Sequence, residues 1–118
     1  MAERGRIKKL LEQAEEALGM NNRVRIVLYP MKYKVASVSL KSKIIRINRN
    51  FVSDFDDKEL YYVLVHELIH IKIASLSHGE KFYEVLNRLF SLDETEEIEN
   101  GIVKKLLGAG ISTKKWLT

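Results

Sequence analysis

The residues best suited to chemistry stand together as His66-Glu67-Leu68-Ile69-His70, followed by His78. The chain holds three histidines, and all of them fall within these thirteen positions. On an α-helix a four-residue step advances ~6 Å and turns about 40° past a full revolution. His66 and His70 therefore project from one face, where two imidazoles can bind one Zn2+ at ~2.0–2.1 Å each. Glu67 projects at the edge of that face. From there its carboxylate reaches a water activated by the metal without ligating the metal itself. The chemistry to expect is metal-assisted hydrolysis with Glu67 as the proton carrier.

A catalytic zinc wants three protein ligands and one open position. His78 lies eight residues past His70. With a helix ending near Ala74, Ser75-Leu76-Ser77 can turn the chain and return His78 to the metal at the start of the next helix. Gly79 permits a tight backbone path there. Glu80 and Glu84, on the helix that follows, are rival third ligands, because carboxylate oxygen also suits zinc.

The elements that must position these groups are legible in the hydrophobic spacing. A helix is predicted from about Asp57 to Ile73, with Leu60, Tyr61, Leu64, Val65, Leu68, Ile69, Ile71 and Ile73 covering most of its circumference. A helix apolar nearly all round is a central one. Asp56 with Glu59 forms a capping-box signature at its start. Residues 3–18 read as an amphipathic helix through Ile7, Leu10, Leu11, Ala14 and Leu18, stopped at Gly19. Arg23 to Tyr29 alternates as a strand, ended by Pro30. Lys32 to Leu40 is a second strand whose apolar parity shifts from Tyr33 and Val35 to Ala36, Val38 and Leu40, which predicts a bulge or bend. Lys41-Ser42-Lys43 turns into a third strand, Ile44 to Asn48, closing a hairpin. Residues 80–91 form a helix burying Phe82, Val85, Leu86, Leu89 and Phe90. A fourth begins at Asp93 or Thr95, with Ile98, Ile102, Val103, Leu106 and Leu107 on one face, and ends at Gly108-Ala109-Gly110. The tail to Thr118 carries Trp116 and Leu117. The order of helix, three strands and three helices defines an α+β fold. It is a single domain over residues 1–118, a small three-stranded sheet packed on the active-site helix and further helices.

Composition narrows the classes. The chain has 118 residues, 46% of them hydrophobic and 31% charged, enough for one core and globular in balance. It has no cysteine, which excludes a disulfide scaffold, an Fe–S cluster and thiolate chemistry. No apolar run approaches the ~20 residues of a membrane segment. The N-terminus lacks the apolar stretch of a secretory signal, so the expected location is cytoplasmic. Net charge is +4, but residues 1–50 carry twelve basic and four acidic groups, while residues 79–100 carry two and seven. The basic half admits a nucleic-acid partner. No Gly-rich or aromatic-studded recognition motif accompanies it, so nucleic acid is not the favoured partner.

His66-Glu-Leu-Ile-His70 with His78-Gly-Glu-Lys-Phe82-Tyr83 resembles the single-domain zinc peptidases called minigluzincins. It is also similar to SprT-like and WLM-type proteases. The seven residues between His70 and His78 exceed the five usual in WLM-type proteins, and a DNA-binding extension is lacking, which favours the minigluzincins. The resemblance covers Ile44 to Phe90 and fits the preceding elements by order and length. It implies the zincin fold, Zn2+ held by His66, His70 and His78, Glu67 as general base, and a peptide or protein substrate. It implies kinship with the catalytic domains of membrane metallopeptidases. It also implies that the segment from residue 108 to 118 can block the cleft and keep the enzyme latent, or exchange between two molecules of a dimer. By the same resemblance the strand Ile44–Asn48 lies at the sheet edge and pairs with extended substrate, as an unpaired edge can. Tyr83, Tyr61, Tyr62 and Arg88 are candidates for the donor that helps to stabilise the oxyanion, with core packing the competing role for each. Two rival readings stand beside this one. One is a DNA-linked protease of the SprT or WLM type, and the other is a non-enzymatic metal-binding module.

Overall fold

The central element is helix α2 (Asp57–Ile73), with the bounds its sequence predicts. Both arms of the capping box form. Asp56 Oδ1 accepts from the Glu59 N–H at 2.7 Å, and the Asp56 N–H donates to Glu59 Oε1 at 3.0 Å. Every residue from Tyr62 to His70 is buried, so this helix needs partners on all sides. This is a computed structural model, and it describes residues 2–21, 23–32 and 34–109.

Helix α1 (Ala2–Leu18) packs along α2 through Ile7, Leu10, Leu11, Ala14 and Leu18, and stops at Gly19, whose φ of 66° suits a residue without Cβ. Arg6 ties α1 to the entrance of α2, donating to Asp57 Oδ1 at 2.6 Å and to the Phe55 carbonyl. The strands are β1 (Arg25–Tyr29), β2 (Ala36–Ser39) and β3 (Ile44–Asn48). Their order is β1-β3-β2, with β2 antiparallel to β3 and β1 parallel to it. The predicted hairpin forms, but Ile44–Asn48 is the middle strand and not an edge. Arg25–Tyr29 docks on its other side in register from Arg25↔Ile44 to Tyr29↔Asn48. The backbone groups of β3 are thereby paired on both sides, and the edge nearest α2 is β2.

β2 is also shorter than the predicted Lys32–Leu40, and Tyr33 lies outside the described residues. Its apolar parity shift is the entrance to the strand. Val35 is buried just before it, and within it Ala36 and Val38 alternate regularly with half-buried serines. Asn48 holds the β1–β2 connection in place, its amide donating to the Met31 and Lys34 carbonyls at 2.8 and 2.7 Å.

Helix α3 (Glu80–Leu89) buries Phe82 and Leu86, with Phe90 buried just beyond its end. Helix α4 (Leu92–Gly108) starts earlier than Asp93 or Thr95, because Ser91 and Glu94 form a second complete capping box. Those bonds from Ser91 hold the Glu94 carboxyl below its usual range. Ile98, Ile102 and Leu106 are buried, whereas Leu107 is exposed. α4 lies against α2 through a Lys105–Glu59 ion pair and a bond from the Tyr62 hydroxyl to Glu99. Gly101 admits Glu59 there, since a Cβ would stand 2.8 Å from Glu59 Oε2. The tail beyond Ala109 lies outside the described residues, and with it the expectations of cleft blocking and segment exchange.

A buried carboxylate outside the histidine cluster also works against stability. Glu15 on α1 is 2% exposed, and its Oε2 has no hydrogen-bond partner among the described residues. Burial, then the charge of Glu12, raises its pKa. A carboxyl with a raised folded pKa binds its proton more tightly in the native state. Its protonated form favours folding below the unfolded value, and that advantage is lost as pH rises through the folded pKa. Glu15→Gln is therefore expected to raise Tm by a few degrees at pH 7 and by less at pH 4. Melting curves across that range check it.

Candidate active site

Positions 66, 67 and 70 fall in the buried half of α2. His66 is 7% exposed, and Glu67 and His70 are fully buried. Burying three such groups together is costly unless something compensates them. His78 reaches them from the exposed loop between α2 and α3. One ligand atom from each of the three histidines lies within 4.8 Å of the others. His66 Nε2 and His78 Nε2 are 3.2 Å apart. Two nitrogens bound to one tetrahedral zinc stand ~3.3 Å apart, given bond lengths of ~2.0–2.1 Å. The donor set therefore fits a metal in kind and in spacing. Glu67 Oε1 is 3.9 Å from His66 Nε2, beside the cluster and outside it.

Two features hold the imidazoles. The Phe82 ring lies 4.7, 4.9 and 4.9 Å from those of His66, His70 and His78, centroid to centroid, forming an apolar platform under all three. The Ser75 carbonyl lies 2.9 Å from His70 Nδ1. A carbonyl only accepts, so Nδ1 is the donor in this contact, which in the neutral ring leaves the lone pair on Nε2.

Among the described residues Glu80 and Glu84 do not join the cluster. Both are exposed, and Glu84 accepts from Arg88 at 2.9 Å. That bond also engages Arg88. The hydroxyl of buried Tyr62 donates to half-buried Glu99, and burial, then that carboxylate, pushes its pKa up. Tyr61 packs edge-on against Phe90, and burial raises its pKa too. Of the four candidate oxyanion donors, Tyr83 is the exposed aromatic beside Phe82, at 47%. The sequence places Phe82 in the core and in the motif that carries the resemblance, and its core burial holds at 1% exposure, but its seat beneath the imidazoles is not read from the sequence. Nor is the part of Ser75, whose contribution is backbone and leaves no mark in residue type.

Residues 2–100 match the family described as YgjP-like, metallopeptidase domain. An uncharacterized protein of Methanocaldococcus jannaschii is 43% identical over 101 residues, covering 86% of this chain and 92% of its own. Two of the similar solved structures cover most of the chain. The metallopeptidase zymogen jannalysin of Methanocaldococcus jannaschii has 43% identity and a TM-score of 0.79, over 85% of this chain and 96% of its own. The metallopeptidase zymogen abylysin of Pyrococcus abyssi has 31% identity and a TM-score of 0.80, over 86% of this chain and 95% of its own. The fold and the histidine cluster are those of a metallopeptidase, an enzyme acting on peptides or proteins. This chain belongs to the YgjP-like metallopeptidase family. Among the described residues no helix is long and apolar enough to cross a membrane.

Proposed function

We propose that the protein is a zinc-dependent endopeptidase in which His66, His70 and His78 hold the metal and Glu67 moves the protons. The observation that carries this reading is the meeting of three imidazoles from two separate segments beside a buried carboxylate. A bound Zn2+ supplies Lewis acidity and lowers the pKa of water toward ~7. Glu67 takes a proton from the attacking water and delivers it to the leaving amine. The His70 Nδ1–H held by the Ser75 carbonyl would leave that ring's other nitrogen to hold the metal. Phe82 excludes water from the face of the site behind the imidazoles. Tyr83 is the candidate donor to the developing oxyanion.

Recognition of an extended substrate falls to β2. The Val35 carbonyl accepts from the Asn48 N–H, so by alternation the N–H and C=O groups of Ala36 and Val38 face away from β3. Those groups are the ones an added peptide strand can engage.

Latency is part of the proposal. Both similar structures are zymogens, and we assign the blocking role to the segment from Gly108 to Thr118 within a single-domain chain. A chain ended at Ala109 is expected to cleave a fluorogenic peptide at least ~10-fold faster than the full chain, since a tethered blocker acts at high effective concentration. A chelator should stop cleavage and added zinc restore it. Equal rates with and without the tail overturn latency. No cleavage by either zinc-loaded form counts for the metal-binding module, and a rate that requires DNA counts for the DNA-linked protease.

A further inference from the structure

Helix α2 does not stop on glycine. Its left-handed terminal residue is Ala74, at φ 53° and ψ 43°, a conformation disfavoured for any residue with a Cβ. Around it the Ser75 N–H donates to the His70 carbonyl at 3.1 Å and the Ala74 N–H to the Ile71 carbonyl at 3.2 Å. That pair of bonds is a Schellman motif. The residue whose carbonyl takes the longer-range bond is His70. Ser75 then turns its own carbonyl onto His70 Nδ1 at 2.9 Å. One residue of the helix stop thus grips both the main chain and the ring of His70. The turn continues without a break toward the third imidazole. Ser75 Oγ accepts from the Ser77 N–H at 3.1 Å, and at Gly79 a Cβ would stand 3.2 Å from Ser77 Oγ. His78, between them, arrives 3.2 Å from His66.

We infer that the Ala74–Ser75 helix stop is a positioning device for the metal site. The left-handed turn at Ala74 aims the Ser75 carbonyl, fixes His70 as its Nδ1–H tautomer, and leaves the Nε2 lone pair facing His66 and His78 before any metal arrives. This rests on the three-histidine reading above. The reason is chemical: a metal takes only a nitrogen lone pair, and an imidazole free to exchange tautomers presents it on the correct nitrogen only part of the time. Ala74 touches no substrate and is a positioning residue.

The test uses the full chain with Ala74→Gly and Ala74→Val. Glycine keeps the left-handed turn, so Tm should rise by about 3–5 °C while zinc affinity, measured by chelator competition, stays at the wild-type value. Valine opposes that turn through its branched Cβ. Its zinc affinity should fall ~10–100-fold, the usual loss when a partner of a ligand histidine is disturbed. Long-range 15N–1H NMR of the metal-free chain reads the tautomers. His70 should be Nδ1–H in the wild type and the glycine variant, and mixed in the valine variant. A wild-type His70 protonated on Nε2 overturns the inference whether or not the valine variant folds. So does a folded valine variant that binds zinc as tightly as wild type. A wild-type chain that binds no zinc overturns the three-histidine reading as well, whereas a failure confined to the Ala74 variants leaves that reading standing.

Discussion

Replacing Glu67 by Gln is expected to lower peptide hydrolysis by about 10²–10⁴-fold while the metal stays bound. Glu67 stands beside the cluster of ligand atoms and is not a member of it, so holding the metal does not require its charge. Gln has the same shape and keeps the packing around a fully buried position. It lacks only the basic oxygen that accepts a proton. The loss should therefore appear in kcat, with metal content by elemental analysis unchanged. A second consequence separates this residue from one kept for stability. Burying a carboxylate is costly, and an amide of equal volume costs less. The metal-free Gln variant should thus melt no lower than the wild type, the pattern of a site that gives up stability for function. Hydrolysis within threefold of wild type would remove Glu67 from the proposed mechanism. Loss of metal together with activity would make it a ligand.

The parts of this molecule that were legible in the sequence are those governed by local rules. α2 begins after Asp56 because two reciprocal bonds close there, and both residues are visible at the right spacing. The return of His78 was legible for a different reason. The chain contains no fourth histidine, and a zinc site needs a third donor. Sheet order was not legible. Alternation tells which face of Ile44–Asn48 is buried, but not which neighbour lies on each side. β1 docks parallel on β3 through a long connection, and that pairing leaves no local mark. The start of α4 is ambiguous in the sequence because Ser91, Asp93 and Thr95 are all plausible caps within five residues. Ser91 forms the cap because Glu94 reaches back to its N–H. The sequence marks Ala74 as the end of α2 but not its left-handed geometry, since glycine is the residue that ordinarily signals such a stop. The asparagine ending β3 passed as an ordinary strand terminus, although its side chain gathers the Met31, Lys34 and Asn50 backbone around it.

His78→Ala separates the metal site from the fold more sharply than any other change at the cluster. His66 and His70 are buried in the helix around which the core is built, so truncating either opens a cavity as well as removing a nitrogen. His78 stands on the exposed loop between α2 and α3, so its replacement removes ring contacts to His66, His70 and Phe82 but leaves every buried position of α2 filled. The metal-free variant should therefore match the wild type in circular dichroism and lie within a few degrees of it in Tm. Zinc affinity should fall by more than ~100-fold, beyond the range typical for disturbing a ligand's partner. Linkage turns that loss into a stability measurement. A ligand that binds only the folded state raises its stability with the logarithm of its concentration over Kd. A 100-fold weaker site therefore forfeits about 2.7 kcal/mol of zinc-induced stabilisation at a fixed saturating concentration. The wild type should show a large rise in Tm on adding zinc, and His78→Ala a small one. Glu80→Gln and Glu84→Gln should both retain the full rise, because their side chains stand outside the cluster. If a glutamine variant loses it instead and His78→Ala does not, the third ligand is a carboxylate and α3 must move to supply it.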